Sequence, residues 1–181
     1  MNQVGANGPS HQSFASHPPP NIMGTKLTAE HAKQSMTEHA AVKGTEIFEK
    51  YGPQIGWPQL QQILNDRTCC RYPCEIVFDA APLEPGEFAY PAPKGEWPED
   101  GFTLHIHPHF LGHVDRVAYL VLYQLVAVNY GEFASPADAE TFASSALGLP
   151  REEYYQALCG MADEIGGGPK NDCRESGCSC H

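Results

Sequence analysis

The sequence predicts an α+β fold in which about five helices flank a small antiparallel sheet of three strands. Three observations lead to this fold class. Short β-branched and aromatic segments occur together between residues 75 and 107, the loops between them are too short for crossover helices of full length, and helix-forming segments lie on both sides. Strands joined by such short loops favour antiparallel over parallel pairing.

Two helices are predicted before the sheet. The first begins after Thr28, an N-cap residue type, and ends at Gly52, directly before a proline. Gly44 is expected to weaken the middle of this helix, because glycine is a poor helix former. The second helix is short, with Pro58 near its start. Its apolar residues at helical spacing are Leu60, Ile63 and Leu64.

The sheet is followed by a longer apolar segment. The three predicted strands are residues 75–79, 87–90 and 102–107. Residues 114–130 are rich in β-branched residues, which would also fit a strand. The length of this segment, its polar residues Gln124 and Asn129, and the glycine that ends it favour a buried helix.

Two further helices are predicted after residue 130. Ser135 followed by Pro136 is a typical N-cap and first helical residue, and the helix runs toward Leu147. Another helix opens at Pro150 and continues to Ile165, where three glycines and a proline end it.

These elements lie in one predicted domain between two tails. Residues 27–168 form the single α+β domain, a size that one hydrophobic core can serve. Residues 1–26 contain few large apolar side chains, so ordering them would cost entropy that burial cannot offset, and a disordered N-terminal tail is predicted. Residues 169–181 have no large apolar anchor and are predicted to be a flexible, cysteine-rich, metal-binding tail.

Charge and composition limit the expected partners and compartment. The 22 acidic and 11 basic residues leave a net charge of −11, which would repel a phosphate backbone and argues against nucleic acid as a partner. The N-terminus lacks a secretory pattern, and no apolar run reaches about 18 residues, so a cytoplasmic location without a membrane partner is expected. Seven cysteines in a reducing compartment are expected to be free thiols or thiolate ligands.

Four histidines occur within nine residues at the end of the third predicted strand. They are His105, His107, His109 and His113. Alternation along a strand places the first two on one face, about 7 Å apart at Cα, and the third joins them if the extended geometry continues past Pro108. Imidazole suits zinc, copper, nickel and iron, so a transition-metal site is predicted. The alternative is a solvated face of a half-buried strand.

The next residues extend this histidine pattern. Asp115 is two positions beyond the last of the four histidines. It can be a helix N-cap, a partner that fixes a histidine tautomer, or a carboxylate ligand. Three histidines on one ion with an open position would form a site able to activate water or oxygen.

The C-terminal tail carries a second set of ligands in the pattern C-x4-C-x-C-H. Its members are Cys173, Cys178, Cys180 and His181. Thiolates bind soft and borderline metals, and a mobile ligand set suits capture and hand-over of an ion better than catalysis, which needs fixed geometry. A redox-active or incidental cysteine tail is the alternative.

The remaining cysteines are less specific. Cys69, Cys70 and Cys74 stand just before the first strand, either as buried inert thiols or in a metal or redox role. Cys74 with one of the other two is the easier pair, because adjacent cysteines direct their sulfurs apart. Cys159 lies among apolar residues of the last helix and is predicted to be a core residue.

Together the two ligand sets predict the function. The sequence contains no nucleotide-binding loop, nucleophile elbow, zincin motif or dinucleotide fingerprint, which disfavours the enzyme families that carry them. We predict an intracellular transition-metal-binding protein for metal handling or metallocentre assembly, with zinc, copper, nickel or iron as the ion and a client metalloprotein as the partner. A metal-dependent enzyme with a histidine-rich strand and a non-catalytic interaction module are the alternatives.

Overall fold

The computed structural model describes residues 28–166 and confirms the α+β fold class. The helices of this part are α1 (Ala29–Tyr51), α2 (Trp57–Asn65), α3 (Val114–Tyr130), α4 (Pro136–Leu147) and α5 (Arg151–Gly166). The strands are β1 (Cys74–Phe78), β2 (Ala89–Pro93) and β3 (Phe102–Ile106). The predicted tails, residues 1–26 and 169–181, lie outside the described residues.

The sheet is mixed, whereas a purely antiparallel one was predicted. Its strand order is β1-β3-β2, with β3 antiparallel to β2 and parallel to β1. The strand directions are those of an up-down-up meander, but β3 inserts between the other two strands. The ten residues 79–88 connect β1 to β2 and must cross two strand spacings of about 4.8 Å, which a chain of that length spans easily.

Prolines in β2 are compatible with its position in the sheet. Pro91 and Pro93 lie in this strand, which begins two residues later than predicted and extends three residues further. A proline cannot donate a backbone hydrogen bond, so within a sheet it is confined to edge strands and strand ends. Since β2 pairs only with β3, it is an edge strand that tolerates both residues.

The core surrounds α3, which packs against the sheet and against α4, and this confirms the prediction of a buried helix over residues 114–130. Leu104 and Ile106 of β3 are fully buried and face the α3 side of the sheet. The polar residues of α3 are also satisfied: Gln124 Nε2 donates to the carbonyl oxygen of Ala89 at 2.9 Å. None of the helices of residues 28–166 has the combination of length and apolarity that crossing a bilayer requires.

The predicted caps begin the helices where the sequence placed them. Thr28 Oγ1 accepts a hydrogen bond from the backbone N–H of His31 at 3.3 Å. Ser135 and Asp138 form a reciprocal capping box at the start of α4. Gly148 ends α4 with φ +66°, a left-handed conformation that glycine adopts without strain. These local hydrogen bonds explain why the helix positions follow closely from the sequence.

Candidate metal-binding site

The extended geometry of β3 stops before His107. The strand ends at Ile106, and residues Pro108–Gly112 form a 3-10 turn that leads into α3. His107 begins this turn, and its Nδ1 accepts a hydrogen bond from the backbone N–H of His109 at 3.2 Å. The sequence expectation that strand alternation would continue past Pro108 is therefore not met.

The turn instead brings three imidazoles together, and we call His107, His109 and His113 the histidine cluster. The ring of His109 lies 6.5 Å from that of His107 and 6.1 Å from that of His113, measured between centroids. The buried side chain of Phe110 packs beneath, with its ring 5.1 Å from His109 in an edge-to-face contact. The cluster is open to solvent, because His109 and His113 are exposed and His107 is half-buried.

His105 stands apart from this cluster. It lies on the sheet face opposite the buried Leu104, in register with Val77 and Tyr90, both of which are exposed. Its Nδ1 is buried without a hydrogen-bond partner and lies 3.9 Å from Oδ2 of Asp79. The predicted alternation of the strand is thus seen at His105, but this imidazole faces Asp79 rather than the other histidines.

Glu164, in the last turn of α5, completes the surroundings of the cluster. Its carboxylate lies 3.0 Å from Nε2 of His109 and accepts two bonds from Nη1 of Arg116, at 2.6 and 2.8 Å. The hydrogen bond with His109 and then the contact with Arg116 hold the pKa of this carboxyl below its ordinary value. Glu164 could not be recognised from the sequence, because it is 55 positions from His109 and only the packing of α5 brings it near.

The hydrogen bonds fix which ring nitrogens are free. An ionised carboxylate can only accept, so Nε2 of His109 is the donor, and in the neutral ring Nδ1 keeps its lone pair. In His107 the situation is reversed, because Nδ1 accepts from the backbone and the neutral ring carries its proton on Nε2. Of these two imidazoles, His109 is therefore the one whose unprotonated nitrogen has no hydrogen bond from the backbone of the described residues and can accept a cation.

The cluster does not form a closed metal site with the side chains of the described region. Within residues 28–166, no three His, Cys, Asp or Glu groups converge closely enough to hold an ion. Two imidazoles on one tetrahedral ion at about 2.1 Å would bring their ring centroids to about 5 Å. The separations of 6.1 and 6.5 Å are larger, so binding requires rotation of the rings or ligands from elsewhere in the chain.

Asp115 does not cap α3, contrary to the N-cap interpretation of the sequence. The helix begins at Val114, and the N-cap is His113, whose side chain makes no capping hydrogen bond. Asp115 lies in the first helical turn, where a negative charge interacts favourably with the helix dipole.

The described region ends beside the histidine cluster. Cys173, Cys178, Cys180 and His181 themselves lie outside the described residues. However, Ile165 and Gly166, the last two residues of α5, line a depression of about 460 Å³ together with His107. Gly166 therefore lies close to His107, and it is seven positions before Cys173 in the sequence.

The other cysteines differ in their surroundings. The Cys69 thiol donates to Oδ2 of Asp66 at 3.3 Å, and burial raises its pKa to about 11. The Sγ atoms of Cys70 and Cys74 lie 3.5 Å apart. Cys159, predicted to be a core residue, is half-buried on α5.

Comparison with known proteins adds no family to these observations. No protein-family model, no curated protein sequence and no solved structure matches the chain.

Proposed function

We propose that this protein binds a transition-metal ion, such as zinc, copper, nickel or iron, at the histidine cluster, with thiolates of residues 173–180 completing the site. Its role is metal handling or metallocentre assembly in a reducing, cytoplasmic compartment, with a client metalloprotein as the receiver of the ion. The observation that carries this proposal is the hydrogen bond between His109 and Glu164.

A carboxylate bonded to the far nitrogen of an imidazole is typical of metal-binding histidines. The carboxylate orients the ring and makes the other nitrogen a better donor, and its loss costs about 10–100-fold in metal affinity in known sites. Here Arg116 holds Glu164 in place, so the carboxylate serves as the partner of His109 and leaves Nδ1 to the ion.

The tail supplies donors that the cluster lacks. Cys173 is seven residues beyond Gly166, and a chain of seven residues spans at most about 25 Å. Because Gly166 lines the same depression as His107, a thiol at Cys173 is tethered close to the cluster at a high effective concentration, and Cys178 and Cys180 follow on longer tethers. Mixed nitrogen and sulfur donors suit zinc, copper, nickel and iron.

The openness of the site supports transfer of the ion more than storage. The side chain of His109 is 39% exposed, so a ligand of a client protein can approach an ion bound there. A ligand set divided between a folded surface and a tail can exchange one donor at a time. Transfer by stepwise ligand exchange follows from this division.

A metal-dependent enzyme is the second candidate, and one observation favours it. The depression beside His107 has apolar walls from Leu83, Pro85 and Ile165, and a substrate could bind next to an ion at the cluster. The two functions differ in their need for the tail. An enzyme keeps its metal and its activity without the tail cysteines, whereas the metal-handling protein loses affinity and transfer.

The test is a metal-competition titration with elemental analysis of protein purified without an affinity tag and kept reduced. The cluster variant replaces three histidines: His107→Ala, His109→Ala and His113→Ala. The tail variant replaces three cysteines: Cys173→Ser, Cys178→Ser and Cys180→Ser. The matched control removes the same number of imidazoles elsewhere in the sequence: His11→Ala, His17→Ala and His31→Ala.

We expect wild type and control to bind one ion equally tightly. Loss of a carboxylate partner lowers metal affinity about 10–100-fold. The affinity of the cluster variant should fall further than this, because the variant lacks the donors themselves. The tail variant should bind the ion more weakly and lose it to a chromogenic chelator at a lower chelator concentration. Unchanged affinity in the cluster variant refutes the site, and unchanged affinity in the tail variant favours the enzyme.

His105→Ala separates the structural interpretation from the sequence pattern. The sequence grouped His105 with the other three histidines, but its Nδ1 faces Asp79. Metal affinity is therefore expected to stay at the wild-type level in this variant. A loss as large as that of the cluster variant would mean that the ion lies on the outer face of the sheet.

A further inference from the structure

Cys70 and Cys74 form a close pair of thiols, which we call the thiol pair, at the opposite end of the sheet from the histidine cluster. Their Sγ atoms lie 3.5 Å apart, with Cys70 before β1 and Cys74 as its first residue. Cys70 is fully buried, whereas Cys74 is half-buried on an edge strand. A reagent from solvent can therefore reach Cys74 first.

The backbone around the pair is held on both sides. The amide of Asn129, at the end of α3, donates to the carbonyl oxygen of Cys69 and accepts from the backbone N–H of Arg71, both at 2.8 Å. On the other side, the N–H of Phe102 donates to the carbonyl oxygen of Pro73 at 2.7 Å. The two thiols thus face one another in a fixed turn, rather than meeting by chance.

The charges around the pair differ for its two members. The hydrogen bond from Cys70, followed by the positive charges of Arg67 and Lys94, lowers the pKa of the Cys74 thiol. The same hydrogen bond and burial raise the pKa of Cys70. Thiol exchange requires an accessible thiolate, so the half-buried Cys74 is the attacking sulfur and the fully buried Cys70 is the resolving one.

We propose that Cys70 and Cys74 are a redox-active dithiol that reacts with low-molecular-weight disulfides of the glutathione type. The Cys74 thiolate attacks one sulfur of the disulfide, which breaks the S–S bond, forms a mixed disulfide and releases one thiolate. That thiolate takes the proton of Cys70, whose sulfur attacks Sγ of Cys74 and displaces the second thiolate. The second thiolate takes up the proton that Cys74 lost. In total, the low-molecular-weight disulfide is reduced to two thiols, and the thiol pair is oxidised to one disulfide.

Cys69 provides an internal contrast to the pair. It is adjacent to Cys70 in the sequence, but its thiol donates to Asp66, and burial raises its pKa to about 11. A thiol that stays protonated is a poor nucleophile. The reaction is therefore expected at the pair and not at the third cysteine of the same segment.

The test uses the full-length chain with Cys173→Ser, Cys178→Ser and Cys180→Ser, so that thiols of the tail do not take part. The folded protein is treated with oxidised glutathione, quenched with acid, alkylated and mapped by peptide mass spectrometry. The expected product has lost two hydrogens and joins Cys70 to Cys74. We call this tail-substituted protein the parent. When Cys70→Ser is added to the parent, glutathione should accumulate on Cys74. When the matched control Cys69→Ser is added instead, the product should again be the disulfide between Cys70 and Cys74.

Several results would overturn the proposal. One is a parent protein whose pair stays reduced while glutathione accumulates on Cys69 or Cys159. Another is lasting glutathione on Cys74 of the parent, because Cys70 would then not resolve the mixed disulfide. A third is equally fast pairing in urea, where the native geometry is lost. Mapping of the parent needs no substitution in the core, so it decides the matter even if Cys70→Ser does not fold.

Discussion

Replacement of Gly44 by alanine tests how closely α1 and α4 approach one another. A Cβ atom at this position would collide with the carbonyl oxygen of Phe142 and would lie 2.7 Å from Cβ of Ser145 and 3.1 Å from the backbone nitrogen of Ala146. Overpacking costs about 1–3 kcal/mol, and a clash with helix backbone belongs at the upper end. After a gain of about 1 kcal/mol in helix propensity, the net loss is about 2 kcal/mol.

Gly160 on α5 is the matched control, because a Cβ atom there meets nothing within 4 Å. Gly160→Ala is expected to stabilise the protein by up to about 1 kcal/mol, so the same substitution has opposite signs at the two sites. Urea denaturation followed by circular dichroism measures both, and Gly44→Ala should lower the midpoint by about 1 M at an unchanged slope. Equal or greater stability of Gly44→Ala would refute the close helix crossing.

Three further predictions concern buried polar groups and the metal site. Asn129→Ala leaves two backbone groups without their partner and should cost about 2–5 kcal/mol in urea denaturation, whereas the exposed Asn65→Ala should cost under about 0.5 kcal/mol. The hydrogen bond from Lys50 lowers the pKa of Asp66 in the folded protein. The Asp66 carboxylate therefore stabilises the fold fully above the unfolded pKa of 3.8, and this stabilisation is lost as the pH falls toward the folded pKa. The stability difference between wild type and Asp66→Asn should therefore shrink in acid, and a constant difference from about pH 6 to about pH 3 would contradict this. Glu164→Gln should weaken metal binding about 10–100-fold in a competition titration. Glu140→Gln is the control and should leave metal binding unchanged, because Glu140 pairs with Arg151 and not with a histidine.

The helices could be predicted from the sequence because their boundaries depend on neighbouring residues. Thr28 and Ser135 accept hydrogen bonds from N–H groups three positions away, so the cap and the helix start are visible in the same few letters. The buried helix α3 could be recognised from its length and its terminal glycine. In each case the signal and the structure are separated by only a few residues.

The order of the strands and the role of Gly44 could not be predicted in this way. Strand β3 pairs with β1 across 28 positions, and loop length alone does not decide which strand becomes central. Gly44 was expected only to weaken α1, but the structure shows that the absence of a side chain admits the backbone of α4. Both features depend on elements that are distant in the sequence.

The histidines show the same limit at the candidate site. Their density indicated imidazole chemistry, and strand alternation correctly placed His105 opposite Leu104. Alternation could not show that a 3-10 turn would gather His107, His109 and His113, since Pro108 ends the strand there. Nor could it find Glu164, whose position depends on the packing of α5.

The parallel pairing of β1 and β3 also separates the two proposed chemistries in space. Cys74 is in register with Phe102 at one end of the sheet, and His107 follows Ile106 at the other end. Five residues of strand at about 3.3 Å each put about 16 Å between these ends. Neither thiol of the pair can therefore share an ion with the histidine cluster, and the function proposed above assigns the sulfur ligands to residues 173–180. Oxidation of the pair should leave metal affinity unchanged, and loss of the cluster should leave the thiol exchange unchanged.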